Sequence, residues 1–543
     1  MKWQHNAAFS AVFGFGERFD ALNQIGLERN IRVYETFTDQ GGDAYLPVPF
    51  CITDGGFGVY FDTTQVIQIT TEYGETNSCI SAELPEDTVV HMIYGSPAEI
   101  LDKYTQLTGR PVLPPEWAFG LWMSANRWNT QVLAEQQVEE AVKHGMKPSV
   151  IVLEAWSDEA TFYRFDRTRW PEPAAMINRL HESDIRCILW QIPVLKKPDD
   201  GQFCPELNED RAYAVKSGYV VRNPDSSPYL IPEGRWFGGS MVPDFTNPAA
   251  CKWWFGKRQY LLDMGVDGFK TDGGEFLYDD GSCFYDGSTG AVMQNGYALA
   301  YTKAYASFIG KDRVLFSRAG FTGSQTTPLH WAGDQKSTWE ELRHVLNAGL
   351  NAGLSGIPFW GFDIAGFAGK LPSKELYLRA FAMACYSPVM QWHSEPSGGQ
   401  FSEIMPTDDY INDRSPWNIA ERYGDSGVIN FCRRFAEERE RLKPYLLEEA
   451  KFCAATGRPL MAPLFFDAFR DKQAYAISDQ YMLGRILMIA PVLHEGITQR
   501  EVYFPAGEWR DYRTGMMVSD GTVNGGTWRT FNCDITQILV FCT

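Results

Sequence analysis

The stretch GVDGFKTDGGE, residues 265–275, opens as a short apolar, β-rich run and closes on charged residues and glycines. Seven other runs share that design: WAFGLWMS (117–124), PSVIVLEA (148–155), RCILWQIP (186–193), RVLFSRAG (313–320), LHWAGD (329–334), GIPFWGFD (356–363) and SPVMQWH (387–393). Helical periodicity fills most of the intervals. In QVEEAVKHG (137–145), Val138, Ala141 and Val142 fall at i, i+3 and i+4, and Gly145 supplies a stop. The same pattern predicts helices over 248–264 and 337–354, whereas 321–328 carries none. Strands alternating with helices build parallel βα units, and eight of them predict an α/β fold, a closed (β/α)8 TIM barrel.

The flanks differ in style. Residues 1–112 alternate apolar and polar positions between turn residues, as in FCITDGGFGVYFDTTQVIQITTEYG (50–74), and 456–543 repeat the pattern in ILMIAPVL, REVYFPAGEWRDY and TQILVF. The expected organisation is an N-terminal β-sandwich portion (1–112), a catalytic barrel (113–455) and a C-terminal β-sandwich domain (456–543). Residues 197–247, with several Gly, Pro and Asp, are expected to form a loop insertion over the barrel mouth after its third strand.

Composition removes whole classes of function. The 543 residues hold 49 basic and 68 acidic side chains, a net charge of −19, and no Lys/Arg run, which argues against nucleic acid as a partner. A membrane span is not expected, because no stretch of about 18 apolar residues lacks charges or breakers. Eleven cysteines are scattered singly, without a CxxC pair or a neighbouring His at ligand spacing, so neither a metal site nor a disulfide framework is expected. Free thiols, with no signal-peptide pattern in MKWQHNAAFSAVFGFG, point to the cytoplasm. An oligomer of identical chains is compatible with this composition.

Active sites of such barrels sit at the C-terminal ends of the strands. There the runs place Glu154, Asp272, Arg318, Asp334, Asp363 and His393, six ionisable groups where solvated strand ends would give a mixture with Gly, Asn and Ser. Two carboxylates at strand ends suit cleavage of a glycosidic bond, one attacking the sugar and the other protonating the leaving oxygen. Lys270 and Arg318 would keep Asp272 ionised as a nucleophile, while Trp331 offers Asp334 an apolar wall that raises its pKa. Two helix-capping carboxylates remain the alternative. The 14% aromatic content clusters beside polar residues in ANRW (125–128), LHWAGD and QWHSEP (391–396), as the walls of sugar-binding clefts do, although most of these rings must serve the core.

The strings FGFGERFDALNQ (13–24), DGFKTDGGE (267–275), WAGDQKSTWEELRHVLNAGLNAGLSGIPFWGFDIAGF (331–367) and SPVMQWHSEP (387–396) resemble glycoside hydrolase family 31, retaining α-glucosidases and α-xylosidases; DQYMLGRILMIAPVL (479–493) and VYFPAGEWRDY (502–512) extend the likeness to the domain after the barrel. The resemblance implies Asp272 as nucleophile and Asp334 as acid/base. It implies that Arg318 and His393 contact hydroxyls of the bound sugar, that Trp190 and Trp360 floor the pocket, that Asp363 belongs to the strand-seven motif and that Glu275 lies near the site. Where the family usually has an Asp at the strand-two end, this chain has LEAW, with Glu154 and then Trp156. Lys270 is similar to the xylosidase-like branch. ANRWNTQ (125–131) and WQIPVLKK (190–197) are similar to bacterial members acting on α-1,6- or α-1,3-linked glucose oligosaccharides, some of which transfer isomaltosyl units. The resemblance also implies that part of the family's N-terminal domain, from which a loop usually helps close the pocket, is missing here.

The expected function is therefore a retaining exo-α-glycosidase, α-glucosidase-like, hydrolysing oligosaccharides through a covalent glycosyl–aspartate without metal or cofactor. A transglycosylase or α-xylosidase is the alternative, with Tyr229, Trp236 and Phe237 as candidate acceptor-site residues. A non-catalytic sugar-binding protein is the remaining one.

Overall fold

The eight runs form one parallel sheet whose strands are Leu121–Ser124, Val150–Leu153, Arg186–Gln191, Gly268–Thr271, Val314–Ser317, His330–Trp331, Trp360–Gly361 and Met390–Trp392. The eighth strand pairs in parallel with the first, Met390 against Leu121, and a bridge between Asp363 and Gln391 joins the seventh to the eighth and closes the barrel. Nearly every strand residue is buried, which is why the runs lack polar alternation. The computed structural model describes the whole chain except residues 39, 200, 202, 396–411 and 521–525. Pro396 of the last motif therefore lies outside the described residues, as do 200 and 202 of the insertion.

The helix predicted at 137–145 runs over Gln131–Lys143, capped by the Thr130 side chain. Its face is rotated from the expected one: Ala141 is buried, but Val142 is exposed. The segment 248–264 divides into Pro248–Gly256 and Gln259–Asp263, and Trp339–Leu354 forms as predicted. Between strands five and six only a 3-10 turn, Ser324–Thr326, forms. The wall left open there is covered by the N-terminal sandwich, whose core takes in Ala319 and Phe321 beside Val12, Phe15 and Val59. Gln325 also donates to Thr108 Oγ1 and to the Gly109 carbonyl.

That sandwich consists of two four-stranded antiparallel sheets, and their alternating inward residues supply its core. One element within it departs from the all-strand expectation, the helix Pro97–Thr108. Its start is encoded by Ser96 and Glu99, a reciprocal capping box with Pro at the first turn. The insertion likewise contains a helix, Pro205–Ser217. At the end of the barrel domain, the helix Gly427–Thr456 leads into a six-stranded antiparallel sheet and a two-stranded one formed by Gln499–Phe504 and Thr527–Asn532. Among the described residues, no helix is long and apolar enough to cross a membrane. All eleven cysteines are free.

Candidate active site

Asp272 directly follows the fourth strand, and its amide still donates to the Gln191 carbonyl of the third. The chain must then turn sharply beneath neighbouring side chains. Gly273 and Gly274 adopt φ of +70° and +111°, and a Cβ on Gly273 would lie 2.6 Å from Ile192 Cδ1, so the backbone here favours glycine at both positions. The Gly273 N–H donates to Asp272 Oδ1 at 2.9 Å and Trp190 Nε1 donates to Oδ2 at 2.8 Å. The carboxylate is thereby fixed in orientation.

Arg318, at the end of strand five, links the acidic groups. Its Nε lies 3.1 Å from Asp272 Oδ1, one Nη lies 3.7 Å from Asp334 Oδ2 and the other pairs with Glu275 and stands 3.9 Å from Glu35. Tyr45 and Trp236 hold the guanidinium by their rings, at 4.4 and 4.9 Å. Arg318 and Glu275 are sealed in, with side chains 2% and 0% exposed, whereas Asp272 and Asp334 keep 14% and 16% open. Asp272 and Asp334 are thus more open than the two groups that back them. Burial pushes the Asp334 carboxyl well above the usual carboxylate range; the Asp272 charge raises it further and Arg318 opposes the shift. Burial likewise lifts Glu275 to about 7.

A second cluster gathers the ends of strands two, four and eight. Lys270 Nζ donates to Glu154 Oε1 at 2.7 Å, and His393 Nε2 lies 3.5 Å from the same oxygen. Burial raises Glu154 to about 7 against the opposing pull of Lys270. It also drives His393 well below its ordinary value, so the imidazole is neutral and stacks on Phe367 at 4.9 Å. Neutral imidazole, ammonium and carboxyl side by side offer both donors and acceptors to a sugar's hydroxyls.

Both clusters open into one cleft of about 1140 Å³. Of the residues expected at the site, Asp272, Asp334, Glu154, Trp190, Lys270, Arg318 and His393 line it. Five others stand behind it. Trp156 is fully buried and donates to the Trp190 carbonyl. Trp360 donates to Glu17 instead of flooring the pocket, because the N-terminal portion packs against its strand. Trp331 is buried with its ring 4.7 Å from Lys270 Nζ, and burial is the first cause of the raised Asp334. Asp363 accepts from Gln391 at 2.7 Å, and Glu275 backs Arg318. Tyr229, a candidate for the acceptor side, is buried with its hydroxyl donating to the Phe276 carbonyl, whereas Trp236 and Phe237 do line the cleft.

The cleft also contains residues that the strand ends could not reveal. Asn126 and Asn129 belong to the ANRWN stretch flagged by its aromatic-polar character, and Phe162 packs edge-on against Trp190 at 5.5 Å. Glu35 and Phe37 come from the N-terminal portion, so a loop from that region lines the pocket. No spacing in residues 30–40 announces it.

The barrel agrees with the comparisons to known proteins. The glycosyl hydrolases family 31 TIM-barrel domain matches residues 111–449, and the glycosyl hydrolase family 31 C-terminal domain matches 457–543. The chain belongs to glycosyl hydrolase family 31. Among characterised relatives, it is 40% identical to a 1,3-alpha-isomaltosidase of Kribbella flavida, over 94% of this chain and 74% of that protein. It is 36% identical to an isomaltosyltransferase of Sporosarcina globispora, over 94% of this chain but only 49% of that longer protein. A cycloalternan-degrading enzyme from Trueperella pyogenes, solved in complex with a covalent intermediate, superposes with a TM-score of 0.92 at 37% identity, covering 100% of this chain and 77% of that one.

Proposed function

We propose that this chain is a retaining, exo-acting α-glycosidase that releases terminal α-linked glucose units from oligosaccharides by double displacement. The observation that carries the proposal is the sealed Arg318 guanidinium touching two cleft-facing carboxylates, Asp272 at 3.1 Å and Asp334 at 3.7 Å. Asp272, oriented by Trp190 and Gly273, attacks the anomeric carbon. Asp334 holds a proton because it is buried and faces the Asp272 charge, and it passes that proton to the leaving oxygen. The glycosyl ester carries no charge on Asp272, which lowers the proton affinity of Asp334. Asp334 then accepts a proton from the incoming water, and two inversions leave the α anomer. Glu154, Lys270 and His393 hold hydroxyls of the sugar being transferred.

Likeness to an isomaltosidase and to a cycloalternan-degrading enzyme supports glucose oligosaccharides as the substrate class. A cleft of about 1140 Å³ exceeds the ~300–1,000 Å³ usual for small ligands, which supports binding of more than one ring. A second reading, transfer to a saccharide in place of water, is favoured by Trp236 and Phe237 on the cleft wall and by likeness to the isomaltosyltransferase. The unpaired thiols support residence in the cytoplasm. The test is Asp272→Ala with added azide. Turnover should fall by several orders of magnitude and return with β-glycosyl azide as product; an α-azide, or no loss at all, refutes the assignment.

A further inference from the structure

Behind the cleft a guanidinium is buried without a counter-charge. The segment expected as one helix over 248–264 breaks between Gly256 and Gln259, and Arg258 at the break is fully buried, 3.7 Å over the Trp254 ring. Among the described residues no carboxylate pairs with it; the groups that favour its charge are tyrosines. Burying a charge in this way is costly, so what it holds matters. Arg258 donates from Nε to Gln191 Oε1 at 2.5 Å and from Nη1 to the Trp254 carbonyl at 3.0 Å. A guanidinium has no acceptor, so Gln191 must present its oxygen there. The Tyr305 hydroxyl donates to the same oxygen at 2.9 Å. Gln191 Nε2 is thereby turned toward two carbonyls, Phe162 at 2.6 Å and Trp190 at 3.0 Å, which can only accept.

Both carbonyls lead to Asp272. Phe162 lines the cleft with φ of +56°, a left-handed backbone that a bulky residue keeps only where its surroundings enforce it. Its ring meets Trp190 edge-on, and the Trp190 indole donates to Asp272 Oδ2 at 2.8 Å. The Gln191 carbonyl, for its part, accepts the Asp272 N–H at 2.9 Å. Half a turn of the Gln191 amide would set oxygen against the Phe162 carbonyl, and the strained loop beside the indole would have to yield. We propose that Gln191 and Arg258 are positioning residues for the nucleophile: Arg258 fixes the amide of Gln191, which holds the Phe162 carbonyl and so keeps the Trp190 indole aimed at Asp272. The proposal rests on the double-displacement reading above.

The test uses the full chain and α-glucosyl fluoride, which departs without a proton, so that kcat/KM reads the attack of Asp272. Gln191→Glu keeps an acceptor for Arg258 and Tyr305 but presents a second oxygen to the Phe162 carbonyl. It should lower kcat/KM at least about tenfold, against the ~10²-fold that a misplacement of about 1 Å can cost. Arg258→Met, which frees the amide to turn, should lower it in the same direction, and Arg258→Lys, a donor without an acceptor, should restore part of the loss. A general loosening of the core would act whether or not the indole is present, whereas positioning through Trp190 requires it. In Trp190→Phe, which keeps a ring beside Phe162 but has no N–H for Asp272, adding Gln191→Glu should therefore cost less than about threefold. Losses that multiply in the double variant, or losses under about threefold in both Gln191→Glu and Arg258→Met, overturn the proposal. A wild type inert toward the fluoride would instead overturn the glycosidase reading on which it stands.

Discussion

Glu17 offers a perturbation whose size follows from its surroundings. The side chain is fully buried, one oxygen accepts from Trp360 Nε1 at 2.6 Å, and the other has no hydrogen-bond partner. Burial raises its carboxyl from 4.5 to about 8, against the pull of the Trp360 bond and of Arg18. The folded protein therefore keeps this proton where the unfolded chain has released it. A carboxyl raised in the folded state contributes its full stability below pH 4.5 and loses it progressively as pH climbs to about 8. Each pH unit in that window costs about 1.4 kcal/mol, so the loss between pH 5 and pH 7 is about 3 kcal/mol. Glu17→Gln keeps an oxygen for Trp360 but does not titrate. Urea unfolding of both proteins at pH 5 and pH 7, followed by tryptophan fluorescence, should show the variant gaining about 3 kcal/mol relative to wild type on passing to the higher pH. Any constant offset from the amide cancels in that comparison, and distant titrating groups cancel as well. A difference between the two proteins that is equal at both pH values would refute a buried, protonated Glu17.

Two further outcomes address the chemistry. Asp334→Asn should cost about 10²- to 10⁴-fold in kcat/KM on disaccharides but far less on α-glucosyl fluoride, whose departure needs no proton, and the alkaline fall in disaccharide activity should disappear with it; equal losses on both substrates would remove Asp334 from the acid role. Glu154→Asp should withdraw the carboxylate by about 1.5 Å from its 2.7 Å contact with Lys270, altering the ratio of α-glucoside to α-xyloside cleavage about tenfold or more, and an unchanged ratio would show that Glu154 does not read the sugar.

Legibility varied with how local each cause was. All eight barrel strands were readable because a strand buried on both faces is written as a continuous apolar run, and every charged run-end lies beside the cleft or in its immediate support. The helix Pro97–Thr108 was readable too, since Ser96, Pro97 and Glu99 spell a capping box, but the alternation around it suggested strands throughout. Val142 could not be placed from spacing alone, because two faces of the helix satisfied similar periodicity and only the packing of Ala141 selected one. Trp156, Trp331 and Trp360 lie near strand ends in sequence, and yet their rings turn into packing or toward Glu17. A residue number gives the end of a strand, whereas side-chain direction depends on which neighbour occupies the space.

By itself the sequence determined the parallel barrel, the β-rich flanks and the placement of Asp272 and Asp334 at strand ends, because hydrophobic period and strand-end position are local properties of the chain. Only the tertiary structure decided that Arg318 gathers Asp272, Asp334, Glu275 and Glu35 from four separate stretches, that Glu154 shares Lys270 with His393 in sight of the cleft, and that a loop near residue 35 forms its wall. Charge interactions act through space over a few ångströms and take no account of the hundreds of residues between the partners. Which carboxyl keeps its proton is therefore set by burial and by neighbours that no spacing along the chain records.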